Sequence, residues 1–349
     1  MTSSRGRGAV VWLLVATATA LPGCGNGGGA SQATAPAPGA GEGMDPPGAG
    51  TRIRFADLVN VDVRDVPLLM AFDALAADGY TIEKTYLSSS TLITDALARG
   101  EADVAMSNTQ TAWTAIAKGA DIRTVVEATG PSNLFAAHAR IQSCRDLDGR
   151  PVGVANTSGF SPLLLSLFFE RQCPGVRPRT LLLPEAGARA AALLSGRVDA
   201  TMLPVDDFLG VERQSTAPFR VLMSHGEFSD IRIDALHVRR AWALEHPQAV
   251  GALLRAQLDA HRLVIARPEI LRQESVRRLS LDPAAAEAVV GAHLRAGLWD
   301  ANGGLTAANV ESTIDFLTKS GALPPGLTVD RVSDLSHLNA VLDRVGRVP

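Results

Sequence analysis

The sequence has little of what marks nucleic-acid-binding proteins and most enzymes. Aromatic residues make up 5% of its 349 residues, only 3 residues are cysteine, and the formal net charge is −3. This balance provides no basic footprint for nucleic acid, which we therefore do not expect as a partner. The 7 histidines form no H-E-x-x-H motif or other metal-ligand spacing. Nucleophile-elbow and P-loop motifs are also missing, so the sequence predicts no metal, no cofactor and no enzymatic activity.

The N-terminal segment has the pattern of an export signal. Arg5 and Arg7 precede the apolar run Ala9–Leu21, which has no charged residue and is too short for a stable transmembrane helix. We therefore interpret residues 1–23 as a signal peptide. The last residues of this segment, with the next one, read LPGC and resemble a bacterial lipobox, in which the cysteine, here Cys24, is acylated. The alternative is a plain secretory signal followed by a buried cysteine.

The segment that follows is predicted to be a flexible tether. Residues 24–51 are rich in glycine, alanine and proline and contain no basic residue. A chain of this composition cannot bury a hydrophobic core. Acyl chains on Cys24 would hold the tether at a lipid bilayer.

Two cysteines remain in the rest of the chain, Cys144 and Cys173. An exported protein lies in an oxidising compartment, so an even pair of cysteines indicates one disulfide. The alternative is two separate buried thiols.

A pattern that begins at Ala96 recurs 96 positions further along the chain. ALARGEADVAM at 96–106 and ALLSGRVDATM at 192–202 both read A-L-x-x-G-x-x-D-x-x-M. This period is too long for a solenoid repeat and indicates two similar half-structures. In each copy a helix ends at a glycine that can adopt the left-handed conformation, and a buried strand follows. We interpret Asp103 and Asp199 as structural residues that hydrogen-bond the turn backbone.

The segments around each copy alternate between strand-like and helix-like patterns. The first half predicts three strands and two helices over 53–106, with the first helix at Val66–Ala77, and 151–202 repeats this order. The alternation favours an α/β fold with a mainly parallel sheet in each half. Residues 240–345 have mostly helical patterns, with prolines near helix starts, namely Pro247, Pro268 and Pro283.

Polar residues follow the strands at the edge where open α/β sheets bind ligands. The best candidate is Asn156-Thr157-Ser158-Gly159, where free N–H groups and hydroxyls before a helix would bind an anion. The alternative is that these residues only cap the helix. Asn108 and Thr109 occupy the corresponding position in the first half. Trp113, one turn further on, either stacks on a planar ligand or packs within the core.

Two further candidates bear on the charge of the ligand. Arg64 could hold a sulfonate, carboxylate or phosphate in a bidentate fork. Alternatively, it is a surface arginine paired with Asp62 or Asp65. Asp206, with the aspartate after it, could bind the amine of a zwitterion or could be a solvated turn carboxylate.

Several segments, in their order and spacing, resemble one protein family. The repeat described above is one of these segments, and the others are DVPLLMAFDALAADGY at 65–80, AWTAIAKGADIRTVV at 112–126, IQSCRDLDGRPVGVANTSG at 141–159 and HVRRAWALEHPQAVGALLRA at 237–256. Together they resemble the substrate-binding lipoproteins of ABC importers in the nitrate, taurine and aliphatic-sulfonate class. The resemblance extends over roughly 52–345.

This resemblance implies the two-lobed periplasmic-binding-protein type 2 fold, in which two crossing strands join the lobes. We expect the crossings near Ala136–Arg140 and Ile233–Val238. Lobe 1, with the C-terminal helices, would comprise 52–138 and 236–349, and lobe 2 would comprise 139–235 and contain the disulfide.

The resemblance also implies a function. The chain would capture a small anionic or zwitterionic solute between its lobes and deliver it to an ABC permease in the membrane. It would be an exported monomer, lipid-anchored through Cys24 to the outer face of the cytoplasmic membrane. Two alternatives share the fold. One is a signalling lipoprotein, and the other is a thiamine-pyrimidine-type enzyme, whose cysteine-rich motif this chain lacks.

Overall fold

A computed structural model describes the protein at residues 48–59, 61–130, 132–155, 160–224 and 230–349. The predicted signal peptide, Cys24 and nearly all of the tether lie outside the described residues, as do Asn156-Thr157-Ser158-Gly159. Residues 45–349 form one compact unit. Within the described ranges, no helix has the length and apolar character that crossing a membrane requires.

The first half alternates strands and helices as the sequence patterns predict. The first helix has the predicted bounds, with Pro67 in its first turn and the left-handed Gly79 (φ 90°) after its end. The elements of this half are, in chain order, β1 (Arg52–Leu58), α1 (Val66–Ala77), β2 (Thr81–Leu87), α2 (Ser90–Ala98), β3 (Val104–Asn108), α3 (Thr109–Ala117) and β4 (Ile122–Thr129).

The second half repeats this order after one additional strand. Its elements are β5 (Asn133–His138), β6 (Pro151–Val154), α4 (Phe160–Gln172), β7 (Arg179–Leu182), α5 (Ala186–Leu194), β8 (Ala200–Pro204), α6 (Val205–Gln214) and β9 (Phe219–Met223). The two sequence copies therefore occupy equivalent places, α2–β3 and α5–β8. The glycines that end the two helices, Gly100 and Gly196, both have left-handed backbone, with φ of 74° and 72°.

The remainder of the chain is one strand followed by helices. Three of these helices begin at the prolines singled out in the sequence, because proline fits the first helical turn, where its missing N–H costs nothing. The elements are β10 (Asp234–Arg239), α7 (Arg240–Glu245), α8 (Pro247–Ala266), α9 (Pro268–Leu279), α10 (Pro283–Arg295), α11 (Ala307–Lys319), α12 (Val329–Val332) and α13 (Ser336–Val345). Helix α8 packs on α1, and α13 packs on α8.

The strands form two sheets with matching topology. Their orders are β2-β1-β3-β10-β4 and β7-β6-β8-β5-β9. In the first sheet β1 is parallel to β2 and β3, and β10 is antiparallel to both of its neighbours. In the second sheet β6 and β5 take the places of β1 and β10. The α/β prediction with two lobes is thus confirmed, and we refer to the two sheets with their helices as lobe 1 and lobe 2.

The first crossing between the lobes lies earlier in the chain than predicted. Residues 130–132 join β4 of the first sheet to β5 of the second, so the expected crossing at Ala136–Arg140 falls within and just after β5. Strand β5 pairs with β8 and β9, which uses its backbone groups inside lobe 2. The strands of lobe 2 therefore begin at Asn133, not after 139, and the return crossing lies between β9 and β10.

The two repeated aspartates are structural, but their partners are mainly arginines. Asp103 accepts the backbone N–H of Arg54 at 3.1 Å and binds the guanidinium groups of Arg54, at 2.5 Å, and Arg239, at 3.1 Å. Asp199 binds Arg140 and, at 3.6 Å, Arg150. In lobe 1, Arg54 lies on β1 and Arg239 is the last residue of β10. In lobe 2, Arg150 directly precedes β6 and Arg140 lies two residues after the end of β5. In each lobe the repeated aspartate is thus a buried carboxylate paired with two partly exposed arginines, at the edge opposite the strands' carboxyl ends.

The two cysteines of the described chain are joined. Cys144 lies at the start of a short 3-10 turn before β6, and Cys173 follows the last residue of α4. They form a disulfide with Cα atoms 6.1 Å apart, and both belong to lobe 2.

A buried polar chain holds Trp113 in the core of lobe 1. The Trp113 side chain is fully buried, and its Nε1–H donates to Thr124 Oγ1 at 2.9 Å. Thr124 Oγ1 is 3.0 Å from His237 Nδ1, and His237 Nε2 is 3.2 Å from the carbonyl of Ser107. Trp113 therefore packs in the core and has no surface on which a ligand could stack. Burial lowers the pKa of His237 to about 4, so this imidazole is neutral.

We expect the His237→Gln variant to lose less stability in acid than at neutral pH. In the unfolded chain a histidine binds its proton near pH 6.5, whereas folded His237 does so only near pH 4. Between these values the unfolded state binds more protons, so the free energy of unfolding that depends on His237 falls as the pH falls. Glutamine has no such proton. The cost of the substitution should therefore shrink by about 2–3 kcal/mol between pH 7 and pH 4.5, measured by denaturant unfolding. Equal costs at both pH values would contradict this assignment.

Candidate functional site

A small cavity lies at the carboxyl edge of the first sheet, where β1 and β3 end. Its volume is about 40 Å³. Its polar lining includes residues from β1, from the loop after it, from β3, from β4 and from β10, namely Asp57, Arg64, Asp65, Asn108, Thr129 and Asp234. We call it the lobe 1 cavity. This is the edge at which open α/β sheets bind ligands.

Arg64 enters this cavity from a tightly ordered loop. Asp62 caps the 3-10 turn Val63–Asp65, accepting the Arg64 N–H at 2.8 Å, while Asp65 accepts the Asp62 N–H at 2.8 Å. The Arg64 guanidinium donates from Nε to Asp62 at 3.0 Å, from Nη2 to Asp62 at 2.6 Å, and from Nη1 to Ser132 Oγ at 2.9 Å. The pairing with Asp62, one of the two arrangements left open by the sequence, is therefore present. The bidentate face of Arg64 is already occupied by a carboxylate.

Three other carboxylates line the lobe 1 cavity. Asp57 and Asp65 are only 4% and 7% exposed. Burial, with a smaller contribution from Asp65, raises the pKa of Asp57 to about 8. Burial and the charge of Asp62 raise the pKa of Asp65 to about 7, and burial also raises the pKa of Asp234. Among the described residues, no arginine, lysine or histidine forms a salt bridge with these three carboxylates.

Asn108 and Thr109 lie at the same edge but have different surroundings. Asn108 lines the cavity and caps α3, since its Oδ1 accepts the Gln110 N–H at 3.1 Å. Its amide nitrogen donates a hydrogen bond to the Asp234 carboxylate, which lowers the pKa of Asp234 against the larger, opposite effect of burial. Thr109 is fully buried, and its backbone N–H donates to Ile233 at 2.7 Å. Its Oγ1 has no hydrogen-bond partner among the described residues.

A second small cavity lies at the carboxyl edge of the second sheet. Its lining includes Asn133, Ala155, Ser161, Arg189 and Met202, and we call it the lobe 2 cavity. The Asn156–Gly159 candidates belong to the same strand-to-helix turn as Ala155 and Ser161 but lie outside the described residues.

Arg189 is the charged residue of the lobe 2 cavity. Arg189 is 7% exposed, and its side chain donates to three backbone carbonyls. One is that of Met202 within β8, at 2.9 Å, and the others are those of Leu183 and Pro184 just after β7, at 2.9 Å and 2.6 Å. Within the described chain no carboxylate forms a salt bridge with it, and burial lowers its pKa. The carbonyls hold the guanidinium in place without neutralising its charge.

The structure places Asp206 away from both cavities. It lies at the start of α6, and its Oδ1 is 3.0 Å from Nε2 of His293, on α10, without hydrogen-bond geometry. His293 is almost fully buried and also contacts the ring of Trp299, whose Nε1–H donates to the Arg64 carbonyl. Asp206 therefore joins lobe 2 to the C-terminal helices of lobe 1.

Sequence reasoning missed the most charged part of the site. Asp57 directly follows the apolar residues Phe55 and Ala56 near the end of β1, which is a signal the sequence does contain. Asp234 begins the antiparallel strand β10, which reaches this edge only through the chain's return from lobe 2. Arg189 lies within a helix and has no local signal for a cavity position.

The two five-stranded sheets of matching topology, with the chain passing from the first to the second and back, have the periplasmic-binding-protein fold. The sequence model described as NMT1/THI5 like matches residues 82–270, more than half of the chain. The chain belongs to the NMT1/THI5-like family, in agreement with the resemblance found in the sequence. A comparison with curated proteins gives no match.

Solved structures with the same fold include several binding proteins. One is a ligand-binding component of an ABC-type import system from Staphylococcus aureus, at 14% identity over 83% of this chain and 99% of that chain, with a TM-score of 0.66. The periplasmic aliphatic sulphonate binding protein SsuA of Escherichia coli matches at 15% identity over 82% and 92%, also with a TM-score of 0.66. The periplasmic nitrate-binding protein NrtA of Synechocystis PCC 6803 matches at 14% over 85% and 89%, with a TM-score of 0.61.

Proposed function

We propose that this chain is the extracytoplasmic substrate-binding component of an ABC import system. The observation that carries the proposal is the pair of polar cavities, one at the carboxyl edge of each sheet, on either side of the first crossing. Family membership supports it, as do the import-system and binding-protein titles of the structural relatives. The solute would be small and anionic or zwitterionic, and the partner would be a membrane permease.

In this proposal the binding cycle is capture followed by closure. The lobes move relative to each other, since the chain passes between the two sheets only from β4 to β5 and from β9 to β10. A solute that contacts both edges favours the closed form, because only that form provides both sets of contacts. The contact of Asp206 with His293 would then belong to the interface between the lobes and not to the solute. The permease would recognise the closed form.

The individual roles follow from position. Asn108 would donate one amide N–H to the solute, and Asn156-Thr157-Ser158-Gly159 would contribute donors from lobe 2. Arg64 would order the rim of lobe 1 through Asp62 and Ser132. Acylated Cys24 would hold the monomer at the membrane, so that the captured solute stays near the permease.

A thermal-shift screen of the full-length protein in detergent tests the proposal. The panel contains small sulfonates, carboxylates, oxyanions, pyrimidines and amines. We expect one chemical class to give a saturable increase in melting temperature, because a ligand at about 100 times its dissociation constant adds about 2.7 kcal/mol to the free energy of unfolding. The Asn108→Ser variant keeps a helix cap but loses the amide, and should weaken this ligand about tenfold.

The matched control is Asn339→Ala, which removes an exposed amide on α13 whose Oδ1 accepts from Arg347 at 2.9 Å. Its affinity should equal that of the unmodified protein. A screen without any saturable shift would argue against a solute-binding role, and equal affinities for the two variants would remove Asn108 from the site.

A further inference from the structure

The charge of the lobe 1 cavity is unbalanced, and this observation deepens the proposed function, on which the inference rests. Asp57, Asp65 and Asp234 line the cavity together with one guanidinium, that of Arg64. That guanidinium is already paired with a further carboxylate, Asp62. Four carboxylates against one guanidinium leave three negative charges without a partner when all are ionised.

Asp57 shows most clearly that a positive group is missing. Asp57 is only 4% exposed, and it lines the cavity. Its hydrogen bond is the one that Oδ1 accepts from the neighbouring Leu58 N–H, at 2.7 Å. Burying a carboxylate without a cationic partner is costly, so buried carboxylates in proteins are normally paired. No described residue supplies the pair. Without a ligand a proton neutralises Asp57, since burial raises its pKa to about 8, and a cationic group of a ligand can take the place of that proton.

The missing cation fits a protonated nitrogen better than a metal ion. Among the described residues, no group of three or more His, Cys, Asp or Glu side chains is placed to hold a metal. The cavity volume of about 40 Å³ exceeds the roughly 10–15 Å³ that a cavity needs to hold one water molecule. It can therefore receive one small head group with several N–H donors, while the rest of the solute lies in the cleft.

The lobe 2 cavity has the opposite charge. Arg189 is held there by backbone carbonyls and, within the described chain, has no carboxylate partner in a salt bridge. Thr129 lines one cavity and Asn133 lines the other. These residues are four positions apart, so their Cα atoms are at most about 14 Å apart. One small solute can span this distance.

We propose that the ligand is a small zwitterion whose protonated nitrogen is bound by Asp57, Asp65 and Asp234, with its acidic group directed toward Arg189. A simple anion such as nitrate or an alkanesulfonate would leave the lobe 1 carboxylates unpaired. The nitrogen is therefore the part of the solute that lobe 1 selects.

Matched pairs of solutes test this assignment by calorimetric titration of the full-length protein. The pairs are taurine with ethanesulfonate, β-alanine with propionate, and 2-aminoethylphosphonate with ethylphosphonate. We expect the aminated member of at least one pair to bind about tenfold or more tightly than its partner, because it forms charge-assisted hydrogen bonds with the carboxylates. Binding of the amine-free members with equal affinity would overturn the inference and leave the solute-binding role intact. An absence of binding by every solute at millimolar concentration would count against both.

The Asp57→Asn variant tests whether Asp57 binds the protonated nitrogen of the solute. It keeps the size of the side chain but removes its charge, so affinity for the aminated solute should fall about tenfold while affinity for the amine-free partner stays within about twofold. The control is Asp95→Asn, which changes an exposed aspartate on α2, and it should leave both affinities unchanged. Equal losses for both members of a pair would show that Asp57 only maintains the shape of the cavity.

Discussion

Replacing Gly304 by alanine is expected to lower the free energy of unfolding by at least about 3 kcal/mol. A Cβ at this position would lie 1.9 Å from Glu127 Oε2 and 3.0 Å from its Cδ, so the buried Glu127 side chain would have to move. Movement would separate Glu127 from Arg232, which donates to it at 2.6 Å. Losing the partner of a buried charge typically costs about 3–5 kcal/mol. The left-handed backbone of Gly304, with φ of 61°, adds strain for any other residue.

The control for this prediction is Gly149→Ala. Gly149 has nearly the same φ, 67°, but nothing lies within 4 Å of the position its Cβ would occupy. The Gly149→Ala variant should therefore lose only about 1–2 kcal/mol of stability, the cost of the left-handed backbone for alanine. Denaturant unfolding of both variants separates the two contributions. Similar losses for Gly304→Ala and Gly149→Ala would show that Glu127 relaxes without cost.

The second large effect is expected for Arg232→Met, which leaves Glu127 buried and unpaired. Arg232 is 6% exposed, and it donates to Glu127 at 2.6 Å and to the Gly304 carbonyl at 2.9 Å. Its backbone N–H donates to Thr313 Oγ1 at 2.9 Å. We expect a loss of about 3–5 kcal/mol at neutral pH. The double variant Glu127→Gln, Arg232→Met should recover at least half of it, because no unpaired charge remains.

The loss in the single variant should also depend on pH. Burial raises the pKa of Glu127, and removing Arg232 takes away the charge that lowers it. When a carboxyl has a higher pKa in the folded state than in the unfolded state, the free energy of unfolding falls as the pH rises. The reason is that the carboxyl loses its proton at lower pH in the unfolded chain than in the folded protein. The cost of Arg232→Met should therefore be greater at pH 9 than at pH 5. A cost independent of pH, or a double variant no more stable than the single one, would mean that lost packing dominates.

This cluster matters for function because it anchors the return crossing. Arg232 lies two residues before β10. Its side chain donates to Glu127 of β4 and to the Gly304 carbonyl, and its backbone N–H donates to Thr313 of α11. All of these partners belong to lobe 1. In the proposed binding cycle, rotation of lobe 2 would then occur in the crossing before Arg232, while the first sheet and the C-terminal helices move as one body.

Much of the local structure could be predicted from the sequence. The bounds of α1 are as predicted, and α8, α9 and α10 begin at the expected prolines. The repeated A-L-x-x-G-x-x-D-x-x-M pattern locates equivalent helix-to-strand units in the two lobes. These features depend on side-chain periodicity, on the fixed φ of proline and on the left-handed tolerance of glycine, which all act within a few residues.

The partners of the charged residues could not be predicted in the same way. Asp103 and Asp199 were expected to bond nearby turns, but they bind arginines that are far from them in the sequence. The first crossing was expected too late, since the sequence of β5 gives no sign that it pairs with β8 and β9 inside lobe 2. Pairing between strands depends on residues far apart in the chain.

The ligand chemistry shows this division most clearly. Strand-end positions such as Asn108, the lobe repeat and the family resemblance are all readable in the linear sequence, because they depend on local patterns. The excess of carboxylate over guanidinium in the lobe 1 cavity is not readable there. It arises because β1, the loop after it and the distant strand β10 bring Asp57, Asp65 and Asp234 to one edge, where burial strengthens the effect of each charge.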